Sequence, residues 1–211
     1  MHIPDGFLST EIWVLMYALT LVVLAYATKK VNKKLGDKHV PLMGVLAAFV
    51  FAAQMLNVPI AAGTSGHMLG GVLIAVFIGP YAASLVMASI FFVQSVFFQD
   101  GGLTALGANI FNMGLIGAVL GYFIYVAVRK ALKGHRGRFI ALGISAWLAV
   151  VLAAIATTIE LAFSGTVDLA LALPAMVSVH AIIGVVEALI TVAVVAFVLK
   201  TRPDLLELEK I

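Results

Sequence analysis

The first two residues, Met1 and His2, form a chain terminus that can chelate a transition metal. A peptide that begins X-His offers three nitrogen donors: the α-amine, the amide nitrogen of residue 2 and its imidazole. Chelation through them closes a five-membered and then a six-membered ring, so that the donors occupy three corners of a square plane. Ni²⁺ and Cu²⁺ favour square-planar nitrogen sites. One corner is left for a donor from elsewhere in the chain.

A second histidine is the expected fourth donor, because the chain contains no cysteine. His67 follows a glycine-rich loop and is favoured, whereas His180 lies about 9 Å into a later predicted helix at the usual rise per residue. His39 and His135 fall in basic loops on the opposite side. The turn signal Pro4-Asp5-Gly6 can fold the terminus back. The alternative is that these histidines are only structural.

The elements that must position these donors are membrane helices. Of the 211 residues, 63% are apolar and 11% are charged, which leaves too little polar surface for a soluble globule. A bilayer core about 30 Å thick requires roughly 20 helical residues per span. We expect one all-α transmembrane domain over 1–211, opening with a metal-chelating segment over 1–8. The predicted spans are 9–29, 39–57, 66–79, 81–98, 104–129, 138–163 and 174–199.

The distribution of basic residues predicts the topology. All 13 Lys and Arg residues fall into three short stretches, and such residues accumulate in cytoplasmic loops. An even number of spans must therefore separate each pair of stretches. Seven spans satisfy this rule, with the N-terminus outside and the C-terminus in the cytoplasm. The basic stretches are 29–38, 129–138 and 200–210.

The same distribution argues against other classes of protein. No basic residue lies between His39 and Val128, so a surface that tracks nucleic acid is not expected. No Lys or Arg precedes Lys29, unlike a secretory signal peptide, and Met1 is expected to be the mature terminus with an unblocked amine. The chain also lacks the Gly-x-x-x-x-Gly-Lys-[Ser/Thr] loop that cradles nucleotide phosphates.

Three motifs resemble the CbiM/NikM family, the substrate-binding membrane subunits of energy-coupling-factor transporters for cobalt and nickel. They are Met1–Leu8 (MHIPDGFL), Gly63–His67 (GTSGH) and Gly101–Asn109 (GGLTALGAN). The resemblance implies that the Met1 α-amine, the His2 amide and imidazole nitrogens and the His67 imidazole bind the metal. The metal would be the transported substrate, Ni²⁺ (or Co²⁺), with no organic cofactor.

The resemblance also implies the partners of such a subunit. It would be a non-enzymatic component of an ATP-driven importer in the cytoplasmic membrane of a prokaryote, surrounded by lipid. A transmembrane coupling subunit (T component), ATPase subunits and often a small accessory membrane protein would complete the transporter. ATP would be hydrolysed by those partners.

Small polar residues lie near the predicted outer ends of the spans, where they could hydrogen-bond the second nitrogen of a metal-bound imidazole. These candidates are Thr64, Ser65, Asn109 and Asn112. The alternative is ordinary helix capping and loop hydrogen bonding.

Three ionisable residues fall within predicted spans, where a charge costs about 2.5 kcal/mol or more at the bilayer centre. They are Glu160, His180 and Glu187. His180 and Glu187 share a helix face, and a contact between Glu160 and His180 is expected. Such a cluster could be a structural pairing or could act in metal uptake or release.

A stripe of small residues on the second predicted span consists of Gly44, Ala48 and Ala52. Small residues let membrane helices approach closely. The stripe could serve internal packing or dock onto the coupling subunit.

The main competing function is that of an intramembrane serine protease. Ser65 in Gly-Thr-Ser-Gly would be its nucleophile and His180 its general base. That reading offers no evident oxyanion donor and leaves the Met1-His2 terminus unexplained. A channel remains a further alternative, which ion flux without ATPase partners would reveal.

Overall fold

The computed structural model describes residues 1–32, 39–56, 58–59 and 65–206, and within them the chain is an all-α membrane protein of seven helices. The helices are α1 (Thr10–Val31), α2 (His39–Gln54), α3 (Gly71–Ile78), α4 (Pro80–Phe97), α5 (Leu106–Ala131), α6 (Gly134–Phe163) and α7 (Leu169–Thr201). Two short strands, β1 (Val58–Pro59) and β2 (Ser65–Gly66), pair antiparallel, and a single 3₁₀ turn covers Pro203–Leu205. The expected fold class is confirmed.

Five of the helices, α1 and α4 to α7, are long and apolar enough to cross a membrane, with lengths from 18 to 33 residues. The residues around their ends explain their bounds. Ser9 caps α1 by accepting a hydrogen bond from the N–H of Ile12, and Asp168 caps α7 in the same way. Leu21 and Val22 of α1 expose 60% and 70% of their surface, as expected of side chains that face lipid.

The third predicted span, 66–79, differs from the structure because it is helical only over Gly71–Ile78. Eight helical residues extend about 12 Å, so the non-helical residues 67–70 must supply the rest of this segment's length. The helix cannot begin earlier because Gly70 adopts a left-handed backbone with φ of 78°. The carboxylate of Glu187 accepts the N–H groups of Leu69 and Gly70, each at 2.8 Å, which satisfies donors that a helix start leaves open.

Helix α3 lies at the centre of the molecule, and its residues from Gly71 to Phe77 are all buried. It approaches α5 closely, because a Cβ atom built on Gly71 would lie 2.6 Å from the carbonyl carbon of Gly117. The middle of α5, Ile110–Leu120, is π-helical, a form that is often found at functional sites. The segment 67–70 that leads into α3 carries His67 into the protein interior.

Candidate metal centre

The N-terminal segment is inserted into the protein rather than frayed, as chain termini commonly are. Met1, His2 and Ile3 are 0%, 3% and 0% exposed. The Ile3 N–H donates to Oδ1 of Asn109 at 2.8 Å, and Nδ2 of Asn109 donates to the Ile3 carbonyl at 3.1 Å. The N–H of Gly102 reaches the same carbonyl at 2.9 Å. These three hydrogen bonds hold the backbone of the N-terminal segment at Ile3.

Asp5 anchors the same segment to the loop before α5. Its carboxylate accepts hydrogen bonds from the N–H of Leu103 at 3.1 Å and from the N–H and hydroxyl of Thr104 at 2.7 and 2.6 Å. The hydrogen bond from the Thr104 side chain is the largest cause that lowers the pKa of Asp5. A Cβ atom on Gly102 would lie 2.3 Å from the Asp5 nitrogen, so only glycine fits there. The first and third sequence motifs therefore interlock.

The structure brings His67 beside His2, although the two are far apart in the sequence. Their rings stack with centroids 4.6 Å apart and planes inclined by 24°. Both residues are buried, at 3% and 2% exposure, and the edge of Phe91 packs against His2 with a centroid distance of 5.6 Å. Three of the expected donors, namely the two imidazoles and the buried terminus, thus meet at one place.

Two buried glutamines determine which nitrogen of His2 carries its proton. Gln54 donates from Nε2 to the carbonyl of Leu69 at 2.6 Å, which can only accept, so its Oε1 must face away. That oxygen accepts from Nε2 of Gln94 at 2.9 Å, and Oε1 of Gln94 then faces Nε2 of His2 at 3.0 Å. This orientation of the two amides favours the tautomer of His2 that carries the hydrogen on Nε2. The lone pair of its ring lies on Nδ1, the atom that closes the six-membered chelate ring.

His67 is oriented by the same principle. Its Nδ1 lies 2.8 Å from the Met68 carbonyl, an acceptor, and so carries the hydrogen. Nε2 of His67 is buried without a hydrogen-bond partner, and the polar neighbour of the buried Nδ1 of His2 is the Asp100 carboxylate at 3.2 Å, outside hydrogen-bond geometry. Buried nitrogen acceptors rarely remain unpaired, and a metal ion is one way to satisfy them.

Burial disfavours the charged forms of the terminal amine and of both histidines. Burial lowers the pKa of the Met1 amine to about 5, although Asp100 partly offsets this. Burial, followed by repulsion from the amine, lowers the pKa of His2 to about 3 and holds the pKa of His67 well below its usual value. The terminal amine and the His2 imidazole therefore need to lose no proton at pH 7 before a cation binds.

The asparagines contact groups other than the imidazoles that the sequence suggested. Asn109 holds the Ile3 backbone, and Nδ2 of Asn112 donates to the carboxylate of Glu160 at 2.7 Å. The imidazole partners are instead Gln94 and a backbone carbonyl. Ser65 lies in β2, and Thr64 lies outside the described residues.

The three ionisable residues in the spans do not form the expected cluster. Glu160 pairs with Asn112 rather than with His180, whose Nδ1 bonds the carbonyl of Met176 at 2.7 Å on its own helix. Glu187 faces the start of α3, where free N–H groups and the helix dipole favour a carboxylate. Each group thus has its own local partner.

Gly44, Ala48 and Ala52 are exposed along one face of α2. A Cβ atom on Gly44 would meet nothing within 4 Å. The stripe therefore does not pack against the described part of this chain.

Sequence reasoning missed Gln54, Gln94 and Asp100. The glutamines are fully buried near the ends of α2 and α4, and an amide inside an apolar span was the available signal. Asp100 places Oδ1 3.2 Å from Nδ1 of His2. Among the described residues, no group of three His, Cys, Asp or Glu could hold a metal, so a site here would need the amine and amide nitrogens as well.

The fold and the site define a multi-span helical membrane protein whose own N-terminus is buried against two imidazoles. The family model described as "cobalt uptake substrate-specific transmembrane region", CbiM, matches residues 2–205, and the chain belongs to this family. The family membership expected from the sequence motifs is confirmed. Nothing in these matches supports the serine protease alternative.

Relatives and solved structures agree with this assignment. A provisionally named fused nickel transport protein, NikMN, of Archaeoglobus fulgidus is 42% identical over 209 residues, which cover 98% of this chain and 68% of that protein. The fused nickel transport protein NikMN of Rhodobacter capsulatus is 33% identical over 98% of this chain and 64% of its own length. A crystal structure of a truncated transition metal transporter superposes with a TM-score of 0.89 at 38% identity, covering 95% of this chain and 99% of that one.

Proposed function

We propose that this chain is the substrate-binding membrane subunit of an ATP-driven energy-coupling-factor importer, and that it captures Ni²⁺ (or Co²⁺) on the outer face. The ion would bind the Met1 α-amine, the deprotonated His2 amide nitrogen, Nδ1 of His2 and Nε2 of His67. The observation that carries the proposal is that two buried imidazole nitrogens, neither of which makes a hydrogen bond, lie beside the buried terminus.

The donor set suits Ni²⁺ and Cu²⁺ best among the divalent ions, and the names of the relatives favour nickel of these two. An amide nitrogen and three neutral nitrogens suit a square-planar Ni²⁺, whereas Mg²⁺ and Ca²⁺ require oxygen ligands. The names of the relatives from Archaeoglobus fulgidus and Rhodobacter capsulatus refer to nickel, and the family description refers to cobalt. Both support a first-row transition metal.

The remaining assignments follow from the same proposal. The N-terminus and the metal centre would lie outside and the basic loops inside, in the cytoplasmic membrane of a prokaryote. The exposed stripe of Gly44, Ala48 and Ala52 would contact the transmembrane coupling subunit, and ATPase subunits would complete the complex. The fused relatives are longer than this chain, which supports the proposal that a small accessory membrane protein also belongs to the complex.

Calorimetric titration of Ni²⁺ and Co²⁺ into the detergent-purified protein tests the metal site. The chain must begin at Met1, which an intact mass confirms. One added glycine before Met1 converts the α-amine into an amide and has no room in the buried site, because Met1 is 0% exposed. We expect this extension and His67→Ala each to abolish tight binding.

The matched control is His135→Ala, which removes an exposed imidazole remote from the centre. It should bind Ni²⁺ as the original chain does. Melting temperature and elution volume in detergent separate loss of a ligand from loss of the fold. Undiminished binding by a well-folded glycine-extended protein would exclude the terminal-amine site.

A further inference from the structure

A carboxylate that belongs to none of the four proposed nitrogen ligands lies directly beside them. Oδ1 of Asp100 is 3.2 Å from Nδ1 of His2, and the negative charge of Asp100 also acts on the Met1 amine. The Asp100 side chain is 16% exposed, whereas the His2 side chain is 2% exposed. Asp100 is therefore more accessible from outside the protein than the His2 imidazole is.

The loop backbone holds Asp100 in this position. Gln99 adopts φ of 55°, a left-handed conformation that residues other than glycine rarely take. The next N–H, that of Asp100, donates to the carbonyl of Gln94 at 3.1 Å. Gly101 follows with φ of 94°. Residues that persist in unfavourable backbone conformations cluster at functional sites.

A surface cavity of about 380 Å³ leads to the same loop. Its lining includes Gln99 and Gly101, the two neighbours of Asp100, and the exposed Asp5 on the opposite wall. Asp5 is the one carboxylate among the lining residues, and Asp100 lies between two of them in the sequence. No Lys or Arg is among the lining residues.

We propose that Asp100 is the capture ligand of the metal centre, which binds the hydrated dication first and passes it to the nitrogen donors. This inference rests on the proposed function. One carboxylate oxygen would replace one water of the hydrated ion, which exchanges one oxygen ligand for another and leaves the rest of the hydration shell in place. The ion would then exchange its remaining waters for nitrogens and leave the carboxylate, so that Asp100 raises the affinity through the rate of loading and not as a ligand of the bound ion.

The kinetics of metal binding test this assignment. Stopped-flow mixing with Ni²⁺ gives the association rate, and competition with an excess of chelator gives the dissociation rate. Because charges that focus a cation at a cleft raise association rates by about 10-fold to 1,000-fold, Asp100→Asn should slow association at least about 10-fold. The dissociation rate should change by less than about 3-fold, since the nitrogen ligands remain, in contrast to the pattern common among binding mutants.

Glu11→Gln is the matched control, because it removes one negative charge from the exposed first turn of α1 at the same end of the molecule. An association rate in Asp100→Asn equal to that of Glu11→Gln would overturn the inference. Faster dissociation with unchanged association would also overturn it, because Asp100 would then be a permanent ligand.

The original protein supplies a test that does not depend on the folding of a variant. Its association rate should fall as salt rises from 10 mM to 150 mM, since the Debye length shrinks from about 30 Å to about 8 Å. A rate independent of salt contradicts capture by a carboxylate. Failure of the original protein to bind Ni²⁺ at all would refute the proposed function itself. Tight Ni²⁺ binding whose association rate responds neither to Asp100→Asn nor to salt would refute only the role of Asp100.

Discussion

The hydrogen bond from His2 to Gln94 should control the affinity of the metal centre. In Gln94→Leu, Nε2–H of His2 loses its acceptor in a fully buried position. The imidazole is then no longer restricted to the tautomer that presents Nδ1. Gln54 also loses the donor that faces its Oε1, so the chain of amides that fixes both orientations is broken.

The magnitude follows from two independent estimates. An unsatisfied buried N–H costs about 1–3 kcal/mol, and each 1.4 kcal/mol is about a factor of ten in affinity. Loss of the partner behind a metal-bound histidine typically lowers metal affinity by about 10-fold to 100-fold. We therefore expect Gln94→Leu to weaken Ni²⁺ binding by about 10-fold to 100-fold, without removing any proposed ligand.

Calorimetry on detergent-purified protein measures this effect, with the melting temperature of the metal-free protein recorded in parallel. Ser84→Ala is the control, because it removes one hydrogen bond of a buried hydroxyl near the other end of α4. Gln94→Glu keeps an acceptor for His2 but presents a second oxygen to Oε1 of Gln54. Its Ni²⁺ affinity should therefore fall between those of the original protein and of Gln94→Leu. Ni²⁺ affinity in a folded Gln94→Leu within about 3-fold of the original would refute tautomer control by this residue.

Three further predictions concern the terminus and the core. Asn109→Ala removes both side-chain hydrogen bonds that hold Ile3 and should weaken Ni²⁺ binding about 10-fold or more, as titration would show. Gly71→Ala should destabilise the protein by about 2 kcal/mol or more, measured by thermal unfolding, because the new Cβ meets the rigid backbone of Gly117 at 2.6 Å. Because burial lowers the pKa of the Met1 amine to about 5, below its ordinary value of about 8, the amine is already deprotonated at pH 7. Ni²⁺ binding should then release about one proton, from the amide, and not the roughly two that a free peptide with a protonated amine would release. Calorimetry in buffers of different ionisation enthalpy counts these protons.

Each of these has a contrary outcome. Asn112 lies on the same helix as Asn109, and Asn112→Ala removes a contact to Glu160, so it is the control for Asn109→Ala. An equal loss of Ni²⁺ affinity in both variants would deny a specific role for the hydrogen bonds between Asn109 and Ile3. A Gly71→Ala protein with the same melting temperature as the original would show that α3 and α5 can separate at little cost in free energy. Release of about two protons at pH 7 would mean that the Met1 amine is not held in its neutral form.

Several features could be predicted from the sequence because they depend on composition or on neighbouring atoms. The apolar content indicated a helical membrane protein, and helix lengths follow from the thickness of the bilayer. The chelating geometry of Met1 and His2 lies within one dipeptide, so it needs no tertiary information. His67 could be nominated because few histidines were available, although its position beside His2 could not be calculated from the sequence.

The structure decided what depends on contacts between distant segments. The tautomer of His2 is set through Gln94 and Gln54, which lie on different helices and are separated by 40 positions in the chain. The residue facing Nδ1 of His2 is Asp100, on a loop far along the sequence. Helical periodicity also cannot show that α3 begins only at Gly71, because its start depends on the carboxylate of Glu187 from the last helix. Sequence alone therefore indicated which nitrogen groups the terminus offers, whereas packing between α2 and α4 decided the surroundings of His2, because hydrogen-bond partners in an apolar interior are chosen by proximity in space.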